Sequence, residues 1–119
     1  MATALLIVDH GSVQVEANNL LEGVANLLRR QRPNLIVEIA HMELAHPTIE
    51  EGVEKCVLAG ATVIVVHPYM LSPGRHATRD VPRMAKEHLI KYPGIKLKLV
   101  EPLGLHMKVA EVVLERAGL

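Results

Sequence analysis

The sequence predicts one α/β domain, residues 1–119, built on a parallel four-stranded sheet. Apolar runs of strand length alternate four times with segments of helical periodicity, which is typical of parallel strands joined by crossover helices. Hydrophobic residues make up 50% of the chain, so a domain of this length can bury a core. The first run, ALLIVD at residues 4–9, is continuous rather than alternating, which indicates a strand covered on both faces.

The first helix and the second strand follow from periodicity. After Gly11, apolar residues recur at three- and four-residue spacing and predict an amphipathic helix that ends near Arg30. The apolar positions are Ala17, Leu20, Leu21, Val24 and Leu28. Residues 35–41, LIVEIAH, predict the second strand.

The second helix has a clear start and end signal. Pro47 is typical of a helix start, and Gly60 is well placed to end the helix. The predicted inner face carries Ile49, Val53, Cys56 and Val57.

The third unit joins a β-branched strand to a loop and a helix. Residues 61–67, ATVIVVH, predict the strand. The loop PYMLSPGRH contains two prolines and a glycine, and it predicts a helix that begins near Arg79 or Pro82 and ends at Lys91.

The fourth unit contains a less covered strand. Residues 95–101, IKLKLVE, alternate with Lys96 and Lys98 on one face, which is typical of an edge strand. A last helix is predicted at residues 105–117, and its apolar side carries Leu105, Val109, Val112 and Val113.

Composition argues against several classes of partner. Thirteen basic and thirteen acidic residues give a formal net charge of zero, so we expect neither nucleic acid nor a membrane as partner. Phe and Trp are absent, which leaves few aromatic rings for stacking on bases. No basic leader and no apolar run of ~20 residues is present. The single Cys56 predicts a small buried apolar residue in a reducing compartment, the cytoplasm or the stroma of an organelle.

Titratable residues follow the end of every predicted strand. In a parallel sheet the carboxyl ends of the strands share one edge, where ligands bind. This edge would bring together side chains from all four strands. They are Asp9, His10, His41, Glu43, His67, His76 and Glu101.

These residue types favour a metal that is held only transiently. Imidazoles and carboxylates suit Fe²⁺, Co²⁺, Ni²⁺ and Zn²⁺, whereas a structural zinc site usually has four ligands with cysteines among them. Nearby, Arg75, Arg79 and Arg83 recur every fourth residue, and arginine pairs with carboxylates in a bidentate manner. The combination predicts a polycarboxylate ligand that meets a metal. The alternative is that the three arginines form a solvent-exposed helix face, with Asp80 balancing part of their charge.

Other roles are open for several of these residues. His10 and Gly11 could simply form a turn. His41 could support the site or pack in the core, and His67 could be a satisfied core histidine. The remaining candidates for purely structural roles are His46 at a helix start, Ser12 as a helix cap, and His88 and His106 on the surface.

Three segments together carry a family resemblance. DHGS at 9–12, AHMELAHPTIEEGV at 40–53 and HPYMLSPGRHATRDVP at 67–82 resemble the short sirohydrochlorin chelatases of the class II chelatase family. The resemblance implies a flavodoxin-like fold that forms one half of a bilobal chelatase, so the active form would be a homodimer. It also implies ATP-independent insertion of Fe²⁺ or Co²⁺, or of Ni²⁺ in some relatives, into sirohydrochlorin for siroheme or cobalamin-type synthesis.

The resemblance also implies roles for individual residues. His10 and His76 match the metal-binding histidines, and Glu43 matches the acidic residue of the site. Glu43 would accept a pyrrole proton or act as a ligand, since insertion expels two N–H protons. The divalent metal is then a substrate, and no permanently bound cofactor is expected.

Two other functions compete with this one. Histidine phosphatases also place a His-Gly pair after the first strand, but they carry an arginine where this chain has Asp9, and an acidic residue suits a phosphate pocket poorly. A non-catalytic carrier of metal or tetrapyrrole would share most of the site. Turnover distinguishes the carrier from a chelatase.

Overall fold

The four predicted strands form one parallel sheet. The computed structural model describes residues 2–119. The strands are β1 (Ala2–Asp9), β2 (Ile36–His41), β3 (Ala61–Pro68) and β4 (Lys96–Leu99). Their order is β2-β1-β3-β4 with every pair parallel, as in flavodoxin-like folds. The predicted fold class is confirmed, and β4 lies at an edge of the sheet as its sequence pattern predicted.

Helices cover the two faces of the sheet unequally. They are α1 (Val15–Gln31), α2 (Ile49–Leu58), α3 (Val81–Leu89) and α4 (Met107–Ala117). Helices α2 and α3 pack over the side of the sheet that carries Leu6 and Ile64. Helix α1 packs on β1 and β2 on the other side, over Ile7. Within residues 2–119, no helix has both the length and the apolarity needed to cross a membrane.

The predicted apolar face of α1 is only partly correct. Leu21 and Ala25 are buried against the sheet, but Leu20 is 65% exposed and Ala17 is exposed as well. Since α1 packs mainly on β1 and β2, it buries a narrow stripe of its surface.

Helical structure begins earlier than predicted after β3. A π-helical turn, His76–Asp80, leads directly into α3, and the Val81 N–H donates to the His76 carbonyl. The predicted start of α3 near Arg79 or Pro82 is confirmed, since α3 begins at Val81, but the π turn before it was not predicted. Pro82 lies in the first turn of α3, a position that favours proline, and the sequence gives no signal for the π turn before it.

Helix α4 has the predicted apolar side but lies away from the rest of the chain. It begins at Met107, so Leu105 precedes it. None of its residues is buried, and Val113 is 63% exposed. Its apolar side therefore contributes nothing to the core of the chain.

Cys56 is buried in the core beneath α2. Burial raises the pKa of its thiol to about 12. The residue is therefore a protonated apolar group, as predicted.

A capping box begins α2. The Glu51 N–H donates to Thr48 Oγ1 over 3.2 Å, and the Thr48 N–H donates to Glu51 Oε1 over 2.8 Å. His46 is exposed, as predicted, and its Nδ1 lies 2.7 Å from the same carboxylate oxygen. The hydrogen bond from Thr48, followed by that from His46, lowers the pKa of Glu51 from 4.5 to about 2.

We therefore expect Glu51 to make stability depend on pH. A carboxyl whose pKa is lower in the folded chain stabilises it above the unfolded pKa, and this contribution is lost as pH falls from about 4.5 to about 2. The variant E51Q keeps an acceptor at this position but has no charge to titrate. Urea unfolding between these pH values should show a shallower pH dependence for E51Q than for E54Q, a change at an exposed position of the same helix. Equal slopes would contradict the assignment.

Candidate functional site

The residues that follow β1 and β2 lie next to each other at the carboxyl edge of the sheet. Their pairing continues beyond the last strand residues, because the Met42 N–H donates to the Asp9 carbonyl over 2.9 Å. The Glu43 N–H then donates to the His10 carbonyl over 3.1 Å. This backbone ladder places His10 and Glu43, two of the predicted site residues, side by side.

Gly11 makes this close approach possible. Its φ is +86°, and a Cβ atom built on it would lie 1.8 Å from the Glu43 carbonyl oxygen. No other residue fits this position without moving the backbone. The glycine after His10 therefore allows the segment after β2 to pack directly against the end of β1.

A hydrogen bond from a buried histidine fixes the same turn. His41 is 1% exposed, and its Nδ1 donates to Asp9 Oδ1 over 2.6 Å. The same oxygen accepts the Gly11 N–H over 3.0 Å. Of the two roles considered for His41, the structure favours support of the site. The role of Asp9 was missed, although an aspartate two residues before a glycine is a turn signal in the sequence.

His76 meets His10 from the other side of the edge. The ring centroids of the two histidines are 4.9 Å apart and the rings are nearly perpendicular, at 85°. His76 Nδ1 lies 3.1 Å from Asp80 Oδ2, across the π-helical turn. With Nδ1 directed to Asp80, His76 keeps Nε2 for a metal.

Asp80 is held as a carboxylate. Partial burial would raise its pKa, but the hydrogen bond from Arg79 Nε and the charges of Arg79 and His76 outweigh that effect and hold the pKa below its usual range. Asp80 therefore orients His76 and accepts from Arg79 at 3.2 Å, so it does more than balance a solvated helix face.

An open pocket of about 280 Å³ lies beside the two histidines. Its floor contains the buried Met70, and the exposed Leu71 lies at its wall. The lining residues are His10, Met70, Leu71, Ser72, Gly74, His76 and Ala77. The pocket joins an apolar surface to two imidazoles, which is the arrangement expected for an organic ligand that meets a metal.

The structure does not bring the predicted third ligand into this group. The Glu43 side chain is exposed, and among residues 2–119 no three His, Cys, Asp or Glu side chains lie close enough to hold a metal ion. The two histidines lie next to each other. Metal binding by His10, His76 and Glu43 together stays a prediction.

The three predicted arginines have different surroundings. Arg79 pairs with Asp80, and Arg83 Nη1 pairs with Glu87 Oε1 at 3.1 Å. Arg75 is exposed and has no ion pair within the described part of the chain. All three lie near the pocket in sequence, and their role as carboxylate ligands stays a prediction.

The remaining candidates have structural contacts. His67 Nδ1 donates to the Glu101 carbonyl over 2.9 Å, and burial lowers the pKa of His67 more than this hydrogen bond raises it. His106 caps α4, since its Nδ1 accepts the Lys108 N–H. Ser12 does not cap α1, because the helix has Gln14 at its N-cap position. Ser12 Oγ accepts the Gln14 N–H instead.

Comparison with known proteins identifies the family. The profile of the CbiX family matches residues 4–118. The chain belongs to the CbiX family. It is 39% identical over 115 residues to the chloroplastic sirohydrochlorin ferrochelatase of Arabidopsis thaliana, and this match covers 97% of the chain and 51% of the relative. A sirohydrochlorin cobaltochelatase of Sulfurisphaera tokodaii is 35% identical, with 94% of this chain and 88% of the relative covered.

A solved structure supports the same assignment. The sirohydrochlorin chelatase SirB from Bacillus subtilis subspecies spizizenii, in complex with cobalt, superposes with a TM-score of 0.91 at 33% identity. The match covers 99% of this CbiX-family chain and 50% of SirB. The chain thus spans about half the length of several curated relatives and most of the length of the archaeal one.

The contact at Gly11 gives a direct test of how the site is built. We expect G11A to lower the free energy of unfolding by roughly 3 kcal/mol or more, because positive φ strains a non-glycine residue by about 1–3 kcal/mol and the clash with the Glu43 carbonyl adds to it. The control is G23A within α1, where a Cβ meets nothing within 4 Å. That variant should be stabilised by about 0.5–1 kcal/mol. Urea unfolding measures both, and a neutral G11A would show that the close approach is not required.

Proposed function

We propose that this chain is a sirohydrochlorin metallochelatase. It inserts Fe²⁺ or Co²⁺, with Ni²⁺ as a third candidate, into the tetrapyrrole without ATP, for siroheme or cobalamin-type synthesis. The observation that carries the proposal is the His10–His76 pair, whose ring centroids are 4.9 Å apart beside an open pocket. The names of the relatives support the same chemistry.

His10 and His76 bind the incoming metal as a substrate. Two neutral imidazoles suit first-row divalent metals, and a pair of ligands holds the ion less firmly than the four ligands of a structural site. Asp80 orients His76 through Nδ1, 3.1 Å away, as carboxylates do for metal-binding histidines in general. The metal is therefore held well enough to be positioned and loosely enough to be released.

Glu43 accepts protons from the macrocycle. Insertion releases two pyrrole protons, so a base near the path of the metal is required. The Glu43 backbone is hydrogen-bonded to His10, and its carboxylate is exposed at the same edge. This position allows it to receive a proton without competing with the histidines for the metal.

Arg75, Arg79 and Arg83 bind the ring carboxylates. Arginine forms bidentate pairs with carboxylates, and the substrate presents several of them. Arg75 is exposed without an ion pair in the described residues, so it is the first candidate. Arg79 and Arg83 would exchange their present acidic partners for substrate.

Two copies of the chain form the active unit. The pocket beside the histidines is open to solvent on one side, whereas ligand sites usually bury most of the surface of the ligand. One chain therefore supplies one wall of the binding cleft. A pair of chains also has about the length of the Arabidopsis relative, of which one chain covers 51%.

The alternative is a carrier that binds metal or tetrapyrrole without turnover. A carrier would use the same histidine pair and the same pocket, so turnover is the observation that separates the two functions. For either function we propose a reducing compartment, the cytoplasm or an organelle stroma.

Removal of either histidine tests the proposal. We expect H10A and H76A each to lower the rate of metal insertion by at least about 10–100-fold while the thermal unfolding temperature stays near that of the unmodified protein, because both side chains are exposed. The assay follows sirohydrochlorin absorbance under anaerobic conditions after addition of Fe²⁺, Co²⁺ or Ni²⁺. The variant H88A on α3 is the control and should keep full activity. Tetrapyrrole binding without acceleration for any metal would establish the carrier instead.

Glu43 is tested by separating proton transfer from metal binding. The variant E43Q keeps the shape of the side chain but loses its basicity, so we expect slow insertion with Co²⁺ affinity within a few-fold of the unmodified protein. Anaerobic titration with Co²⁺ measures the affinity. A loss of affinity as large as that of H10A would make Glu43 chiefly a metal ligand.

A further inference from the structure

Leu44 has a strained backbone that the fold does not require of a leucine. Among residues 2–119 it is the only residue other than glycine with a positive φ, which is +70°. This left-handed conformation strains a residue that has a Cβ atom, whereas glycine adopts it freely. The leucine side chain is 65% exposed, so little of it packs in its own chain. The fold therefore explains the turn at residue 44 but not the leucine.

Leu44 lies beside the turn that carries His10. The N–H of the preceding residue, Glu43, donates to the His10 carbonyl over 3.1 Å. The Glu43 carbonyl oxygen lies 1.8 Å from the position that a Cβ atom on Gly11 would take. Strained residues cluster at active sites and ligand-binding segments, and here the strain lies one residue from the backbone contact that supports the proposed metal site.

Leu71 is the counterpart of Leu44 on the other side of His10. The strand order β2-β1-β3 places His10 after the middle strand, with Leu44 after β2 and Leu71 after β3. Leu71 is 70% exposed and lines the pocket that also contains His10 and His76. Two exposed leucines thus follow the strands on either side of His10.

An apolar surface around two imidazoles suits the flat face of a macrocycle. A metal enters a ring of four pyrroles through its face, so the ring has to lie with one face toward the histidines that hold the ion. Ligand sites combine a mainly apolar lining with a few polar groups, and exposed apolar patches mark such sites. Phe and Trp are absent from the sequence, so aliphatic side chains have to supply most of the apolar contact.

We propose that Leu44 and Leu71 bind the face of the tetrapyrrole on either side of His10, and that this contact accounts for a leucine at the strained position 44. The inference rests on the proposed function for the identity of the ligand. It adds two residues that contact the ring itself, and neither of them can bind the metal or pair with the ring carboxylates. Their removal should therefore weaken binding of the macrocycle and leave binding of the metal unchanged.

Equilibrium binding of metal-free sirohydrochlorin, followed by its absorbance, measures the contact directly. We expect L44A and L71A each to weaken binding about tenfold, since a buried leucine side chain typically contributes that much. L44M and L71M keep the apolar volume and should bind within about threefold of the unmodified protein. If L44A and L71A bind the macrocycle as tightly as the unmodified protein, another surface covers the two leucines and the inference is wrong.

Two controls show that the loss is specific to the ring. Leu58 is 77% exposed, but it is the last residue of α2, which leads back to the opposite edge of the sheet, so L58A should bind the macrocycle normally. Anaerobic titration with Co²⁺ should give the same metal affinity for L44A, L71A and the unmodified protein. A Co²⁺ affinity that falls with the macrocycle affinity would show that the leucines shape the metal site, which contradicts a separate contact with the ring.

Glycine at residue 44 separates the side chain from the backbone. L44G and L44A both remove the side chain, but only L44G relieves the strain. We expect L44G to unfold a few degrees above L44A and to bind sirohydrochlorin as weakly as L44A does. An L44G variant that binds like the unmodified protein, or that unfolds below L44A, would overturn the inference.

Turnover distinguishes this inference from the proposed function. Loss of a contact made equally in the ground state and the transition state raises KM and leaves kcat unchanged. L44A should therefore raise the KM for sirohydrochlorin about tenfold and leave the KM for the metal as it is. Insertion with an unchanged KM in L44A and L71A would remove the leucine contacts and leave the chelatase standing. Macrocycle binding that depends on the leucines, without any insertion, would do the reverse.

Discussion

The site depends on the continued pairing of the backbone beyond the ends of β1 and β2. The hydrogen bond from the Glu43 N–H to the His10 carbonyl, 3.1 Å long, requires the two segments to approach so closely that a Cβ atom at residue 11 would overlap the Glu43 carbonyl. The pair of His41 and Asp9 then satisfies the polar groups that this approach buries. The positions of His10 and Glu43 are thus fixed by their backbone. Their exposed side chains need not stabilise the fold and are available to bind a ligand.

The two histidines are held by different physical means. His10 is positioned by a rigid turn at the end of a buried strand. His76 lies in a π-helical turn, a form that often occurs at functional sites, and a carboxylate within that turn orients it. Because the two supports come from separate parts of the chain, the distance between the rings depends on how β1 and the segment after β3 are packed together. In the proposed function the metal has to be bound and then released. A pair of exposed imidazoles on separate supports would meet that requirement better than a closed site with four ligands.

The sequence allowed prediction of the sheet, of the edge that carries the site and of the approach of His10 and His76 at that edge, because these depend on apolar periodicity and on parallel topology. It did not predict the exposure of Leu20, since periodicity identifies an apolar side but not how much of it the sheet can cover. The early helical start at His76 was missed because a π turn has no residue signature comparable to a proline or a cap. The roles of Asp9 and Asp80 depend on contacts between side chains, which spacing along the chain cannot supply.

The helices leave part of one face of the sheet uncovered, at the strand that leads into the pocket. A four-stranded parallel sheet needs helices over both faces, and this chain places α2 and α3 on one face but only α1 on the other. The strand left open, β3, is the one that leads into the pocket wall at Met70 and Leu71. Met70 and Ala77 of the pocket belong to the core on the side of α2 and α3, so the pocket and the uncovered half of the sheet lie on different faces.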